Sequence, residues 1–391
     1  MADIVYITPK VLKWARTTSK MSLETAAAKV NVSPERLAAW ETVDSTDRPT
    51  IRQAETLARA YKRPFAMLFL PDVPYDFTPL QDFRRPGSKE LTTGAVFIQR
   101  ELQQKQAWLS DLHRESGEAP LPFVGRFSLS DTPQAVAQDI LRTLNIDPVA
   151  YTEKPFREWM TKAEEAGIFI SRTSFIHSRL KLDSDEFQGF AIADPHAPFV
   201  FINTEDWDTA QLFTLVHELA HLWIAATGIS SDIALDAQVN ANDLPIERFC
   251  NAVAAHALMP DRVMEQLEAS LFTNSRSIAQ VAERYGVSSL ALLIRAYGRR
   301  LVSDAAFHSM RSTMEKEFKE HLRELAAKAA MKPKSKNGPS YYLLQLNRNG
   351  RLFTQVVLDA FRSGAIQPTV ASGLLNAPVN GFSKFEKFMY R

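Results

Sequence analysis

Cysteine is all but missing. Cys250 is the single thiol in 391 residues, so no disulfide can form within the chain, and a reducing compartment suits it. Cys250 lies in an apolar run and reads as a small buried hydrophobe. No apolar run approaches the roughly 20 residues that crossing a bilayer takes, and the N-terminus has no signal-peptide core. The expected location is therefore cytoplasmic, with no membrane partner. An excess of either charge is lacking too: 46 Lys+Arg against 45 Asp+Glu leave +1, which argues neither for nor against a nucleic-acid partner. What remains is an ordinary globular composition, 45% apolar and 23% charged, in a chain long enough for two or three domains.

Histidine is scarce as well, with 8 in the chain, which makes the stretch Phe213 to Trp223, FTLVHELAHLW, stand out. It holds His217-Glu218-Leu219-Ala220-His221, an H-E-x-x-H pattern that random placement gives roughly once in a hundred such chains. On a helix, residues four apart lie one turn above each other, so both imidazoles can reach one metal ion. Glu218 is rotated by about 100° from His217, which lets its carboxylate reach a water on the metal without ligating the metal. Phe213, Val216, Leu219, Ala220 and Leu222 supply apolar bulk without a Gly or Pro, so the helix is expected to be buried. The plain alternative is a core helix whose histidines satisfy backbone or carboxylate partners.

Two histidines alone bind zinc weakly; a catalytic site wants three protein ligands and an open position. Pro245 to Pro260 reads as a second helix, opened and closed by proline, and its Glu247 is the expected third ligand. Asn251, one turn on, can hold a ligand or an imidazole in place from behind. The plain reading of Glu247 is a solvated carboxylate at a helix start. His256 stands about 180° round that helix from Glu247 and is expected to be structural.

Before these segments, residues 10 to 70 read as short helices. Leu23–Val30 and Ser33–Glu41 are joined by Asn31-Val32, where Asn tolerates a left-handed turn, and Ser33-Pro34 is a natural helix start. Ala27, Val32, Leu37 and Trp40 would join them as a helix-turn-helix. If DNA is read, Ser33, Glu35, Arg36 and Ala39 are the candidate contacts. The second helix carries Glu35 and Glu41 beside Arg36, so protein docking or autoregulation competes with duplex DNA as its task. Pro64 to Pro86 is expected to be an extended strap whose Phe65, Leu68, Phe69, Leu70, Tyr75 and Phe77 need burial. Helices follow at Thr92–His113, Thr132–Leu144 and Pro155–Ala166. Strands are expected at Gly167–Ser171, Gly189–Ala193 and Pro198–Asn203, the last two joined by an Asp194-Pro195-His196-Ala197 turn. After the site, Ser277–Arg300 looks like a second helix-turn-helix, read as scaffold. Ser309–Ala330 is a charged helix, Lys332–Pro339 a basic hinge, and Tyr341–Arg391 a small helical unit.

Asn203, the FTLVHELAHL run and Glu247-x3-Asn251-x2-Ala254-Ala255-x3-Met259-Pro260 together resemble the ImmA/IrrE family of metallopeptidases over roughly residues 130–300. The segment Ala27-x3-Asn31-Val32-Ser33, with Leu37 and Trp40-Glu41, looks like an Xre/Cro-type helix-turn-helix, an arrangement this family uses as an N-terminal fusion. Asp82-Phe83-Arg84 resembles those fusions as well. The resemblance implies His217, His221 and Glu247 as zinc ligands and Glu218 as the catalytic glutamate. Phe249-Cys250 and Val253 depart from the family's usual residues at packing positions. The expected fold is mostly α with a small β-sheet (α+β), divided as a helix-turn-helix domain (1–72), a strap and helical linker (73–130), a zincin-like metallopeptidase domain (131–305) and a C-terminal helical region (306–391).

The expected function is a zinc-dependent endopeptidase with a narrow protein substrate, a cognate repressor or regulator. Glu218 would take a proton from the attacking water and pass it to the leaving amine. His177, His196 and Tyr285 are candidates for an oxyanion donor, and none is singled out. The strand Gly189–Ala193 is expected to pair with an extended substrate. The competing reading is a regulatory or antitoxin-like protein that binds DNA, a partner toxin or both with little proteolysis; a metal-sensing switch is a third. A homodimer is left open.

Overall fold

The computed structural model describes residues 3–74, 80–83, 88–173, 175–177, 180–183, 186–230, 244–331 and 340–389. Arg84, Tyr75, Phe77 and the basic hinge 332–339 lie outside the described residues. The architecture is mostly helical with a small mixed five-stranded sheet and a two-stranded antiparallel ribbon, Phe175–His177 with Leu180–Lys181, an α+β chain. It divides into two units. The first holds residues 1–79, 89–104 and 175–182, and the second holds the remainder.

In the first unit, four short helices run Pro9–Thr18, Leu23–Lys29, Pro34–Trp40 and Ile51–Ala60. Their starts are written in side chains: Ser22, Ser33 and Thr50 each accept an N–H from their own first turn, and Thr50 with Gln53 forms a capping box. Asn31 makes the turn between the second and third helices at φ 53°, the left-handed conformation that Asn adopts at low cost. Leu12, Ala27, Leu37, Trp40, Leu57 and Tyr61 close the core. Arg16 grips Glu41 through two bonds of 2.7 and 2.8 Å, tying the end of the third helix to the first. The strap departs from expectation here. Phe65–Phe69 is a 3₁₀ turn rather than extended chain. Leu68 is buried, while Phe69 and Leu70 are 44% and 37% exposed. Residues three apart share a face of such a turn, so Phe65 and Leu68 turn toward the core while Phe69 and Leu70 do not.

The second unit is built on a five-stranded sheet in the order Gln81–Asp82, Gly228–Ser230, Gly189–Ile192, Phe199–Ile202, Phe169–Arg172. Gly189–Ile192 is antiparallel to both neighbours, with Phe190 opposite Phe201 on one side and Ile229 on the other. The outer pairs are parallel. Every residue of the three central strands is buried, so side chains alternate between two cores. Ile170, Ala191, Val200 and Ile202 share a core with Leu212, Val216, Leu219 and Trp223 of the long helix Asp208–Trp223. On the other face Phe169 stacks on Phe199, Phe199 meets Phe353 edge to face, and the Ser171 hydroxyl donates to the Arg348 carbonyl at 2.5 Å. The C-terminal helices Tyr341–Asn349 and Arg351–Arg362 thus cover the back of the sheet.

The sequence reading misses four strands among the described residues, Gln81–Asp82, Phe175–His177, Leu180–Lys181 and Gly228–Ser230, and expects an open edge at Gly189–Ala193. Gly189–Ile192 is the middle of the sheet, so its backbone is already paired on both sides and cannot take up an extended substrate. The end strands are Gln81–Asp82 and Phe169–Arg172. The helix pair Ser275–Tyr285 and Ser289–Gly298 turns at Gly286 (φ 68°) and sends Ile278, Tyr285, Leu292 and Ile294 into the same core as the long helix. These residues serve as scaffold.

Candidate metal centre

The helix Asp208–Trp223 carries both histidines of the five-residue pattern, and it is buried from Gln211 to its end. Its last turn is anchored: Trp223 Nε1 donates to Asp139 at 2.9 Å, and Asp139 is clamped by Arg126 and Arg142. The four-residue spacing puts the two Nε2 atoms 3.1 Å apart. The helix Pro245–Leu258 packs alongside and brings Glu247 between them, with Oε2 at 3.3 Å from His217 Nε2 and Oε1 at 3.2 Å from His221 Nε2. All three side chains are buried, and they are the only such His, Cys, Asp and Glu cluster among the described residues.

Four ligands around zinc at 2.0–2.2 Å are separated by about 3.3–3.6 Å in a tetrahedron. The observed spacings are close to that, so the donor set fits a single divalent ion. The protonation states fit as well. Burial alone would raise the Glu247 carboxyl, but the facing imidazoles overcome it and bring its pKa down to about 2. Burial also lowers the His221 pKa, which favours the neutral ring, with the Glu247 carboxylate opposing. An ionised carboxylate and neutral imidazoles are the states that ligate. His217 Nδ1–H donates to Asn251 Oδ1 at 2.9 Å, which leaves the Nε2 lone pair directed into the cluster.

Glu218 is fully buried beside this cluster, and neither carboxylate oxygen makes a well-formed hydrogen bond in the protein, the Ser230 hydroxyl acting on it only weakly. Burial pushes its pKa well above the ordinary carboxylate value, the Glu247 charge adds to the rise, and the Ser230 hydroxyl opposes it. A buried acceptor held without a well-formed bond from the protein is a mark of a site built for something the chain does not itself supply. Gly189 lies directly behind it. A Cβ there would come within 2.9 Å of Glu218 Oε1 and 2.7 Å of Thr214 Cγ2.

Other sequence candidates fall elsewhere. His256 turns away to Arg295, whose Nη2 lies 2.7 Å from its Nδ1. Neither His196 nor Tyr285 joins the cluster: the His196 carbonyl accepts from His113, and Tyr285 sits in the scaffold core. The His177 side chain lies outside the described residues. In the first unit, Ser33 spends its hydroxyl capping its own helix, Glu35 is exposed, and Ala39 is half-buried. Arg36 is engaged by Asp47 at 3.0 Å and lies over the Trp40 ring.

Two residues at the centre are not among the expected site residues, although Phe83 belongs to the Asp82-Phe83-Arg84 string that entered through the family resemblance. Ser230, fully buried, places its hydroxyl 3.4 Å from His221 Nε2. Phe83 lies flat against the His221 ring, with centroids 5.4 Å apart and planes 6° from parallel. Both arrive through the strands Gly228–Ser230 and Gln81–Asp82, which are too short for a periodic pattern. Cys250 is buried, and burial raises its thiol pKa well above the ordinary value, the state of an inert core thiol.

Comparison with known proteins agrees with this geometry. Residues 163–297 match the family model described as Peptidase_M78, the IrrE N-terminal-like domain. The chain is 31% identical over 101 residues to the radiation response metalloprotease IrrE of Deinococcus deserti, a match covering 26% of this chain and 36% of that protein. The Deinococcus radiodurans protein of the same name matches at 31% over 101 residues, covering 26% of this chain and 31% of the relative. The likeness thus spans about a third of those relatives' length. The buried cluster and Glu218 lie within the matched segment, so residues 163–297 carry an IrrE N-terminal-like domain, similar over about a quarter of the chain to these metalloproteases.

Proposed function

We propose that this chain is a zinc-dependent endopeptidase acting on a narrow regulatory protein substrate, a repressor or regulator. The observation that carries the reading is the convergence of His217, His221 and Glu247 on one point, with the buried carboxylate of Glu218, which makes no well-formed hydrogen bond, beside it. A zinc ion there would polarise the scissile carbonyl and make a neutral-pH nucleophile of water. His217, His221 and Glu247 would hold the metal, and Asn251 would hold His217 in the ligating tautomer. Glu218 would accept a proton on its carboxylate as water attacks the carbonyl, then give it to the departing amine nitrogen. The near-zero accessibility of these side chains keeps competing water away from that transfer.

Metal content and cleavage, measured together, test this. Wild-type protein should retain one zinc per chain, and Glu218→Gln should retain it too while losing 10²–10⁴-fold in cleavage of a regulator encoded beside it, the range general-base catalysis supplies. Glu247→Gln should lose metal and cleavage together. Protein that retains no zinc after purification in its presence would overturn the reading. A regulatory or antitoxin-like binding function, drawing on the short capped helices of the first unit, is the competing proposal. It gains if Glu218→Gln leaves the biological effect intact.

A further inference from the structure

The two histidines of the centre are oriented by different means. His217 is fixed by a hydrogen bond, its Nδ1 to Asn251. His221 Nδ1 is buried and has no hydrogen-bond partner, so no bond from behind sets the plane of this ring. The Phe83 ring lies parallel to it, with centroids 5.4 Å apart and planes 6° from parallel. We infer that Phe83 is a positioning residue: its ring sets the plane of the His221 imidazole and so aims Nε2 at the point shared with His217 and Glu247. The inference rests on the metal-site reading above.

The local backbone is built to deliver that ring. Gln81 and Asp82 pair in parallel with Gly228 and Ile229, and the Phe83 N–H donates to the Ile229 carbonyl at 3.0 Å. Gln81 and Asp82 face outward, whereas Leu80 and Phe83 are buried, Phe83 to 5% exposure. The facing position has to be glycine. A Cβ on Gly228 would drive into the Phe83 ring and the Gln81 carbonyl. A strand of two residues has little to recommend it as sheet, since it adds few ladder bonds at the sheet's end. Its product is one aromatic face held parallel to an imidazole at the separation stacked rings prefer.

The test uses the full chain and reads metal affinity and geometry rather than turnover. Zinc affinity is measured by competition with a chromophoric chelator, and ligand geometry by the visible spectrum of the cobalt(II)-substituted protein. Phe83→Leu removes the flat face while keeping apolar bulk. It should weaken zinc about tenfold, the low end of what losing an outer support of a metal-bound histidine costs, and shift the cobalt bands, with far-ultraviolet circular dichroism unchanged. Phe83→Tyr keeps the ring and should restore wild-type affinity and spectrum. If the Leu variant does not fold, Phe83→Met repeats the comparison. A folded Leu or Met variant with wild-type zinc affinity and cobalt spectrum overturns the inference. Zinc binding that survives His221→Ala sinks the metal-site reading instead, and that outcome is separable from the first.

Discussion

His256 offers a test of how the ligand helix Pro245–Leu258 is held in place. Its Nδ1 accepts from Arg295 Nη2 at 2.7 Å, and Arg295 is itself held by Asp261 at 2.7 Å and by the Met259 carbonyl at 3.3 Å. The neutral ring is therefore part of the joint between the ligand helix and the scaffold helix Ser289–Gly298. Protonation would set a second positive charge against the guanidinium. Burial, then the Arg295 charge, brings the His256 pKa from its ordinary 6.5 down to about 4, with Arg299 adding and Asp261 opposing. The sign follows. Between pH 6.5 and 4 the unfolded chain takes up a proton that the folded chain refuses, so stability is full above 6.5 and falls as pH drops through that window. At about 1.36 kcal/mol per pH unit the drop would reach about 3.4 kcal/mol. The ring is only half-buried, and solvent screening reduces this to about 1–2 kcal/mol. Urea unfolding of metal-free protein at pH 7.5 and pH 4.5 measures it. His256→Gln keeps an acceptor for Arg295 and removes the titration, so its loss of stability over that range should be smaller than wild type's by this amount. Parallel losses in the two proteins would refute the reasoning.

Gly189→Ala should press a methyl group against Glu218 Oε1 and Thr214. Cleavage should fall by about 10²-fold, as a small displacement of a reacting group can cause, with zinc retained; unchanged turnover would show that Glu218 is not held where the chemistry needs it. Asn251→Ala should weaken zinc by about 10–100-fold, because His217 loses the bond that sets its tautomer; an unchanged dissociation constant would remove Asn251 from the centre. If the helix Pro34–Trp40 faces duplex DNA, Asp47→Asn should free Arg36 and steepen the salt dependence of binding by about one released counterion. No change in slope would argue for protein docking by that helix.

Much of the centre is legible in the sequence because its geometry is local. The pairing of His217 with His221 and of Glu247 with Asn251 follows from one turn of helix, and Ser33, Thr50 and Asn31 mark helix ends and a turn by their own side-chain chemistry. What the sequence does not carry is the meeting of distant short segments. Gly228–Ser230 and Gln81–Asp82 are 3 and 2 residues long, below the length at which alternation can be recognised. Yet they bring Ser230 and Phe83 to the centre.

The misplacement of Gly189–Ile192 has the same origin, and it bears on how substrate could be met. A strand's residues announce that both its faces are buried, since Gly, Phe, Ala and Ile alternate without a polar member, but they say nothing about which strands lie beside it. Order in a sheet is decided by partners far along the chain: here Phe190 meets Phe201 on one side and Ile229 on the other. With both backbone edges of the central strand used, an extended peptide would have to meet the sheet at an end strand, and Gln81–Asp82 is the end strand adjoining the pair that flanks His221. The exposed pair Gln81 and Asp82 would then stand nearest the peptide, while Phe83 and Leu80 point inward. A ring that holds an imidazole in place and two exposed side chains are thus successive features of the same four-residue segment, 80–83.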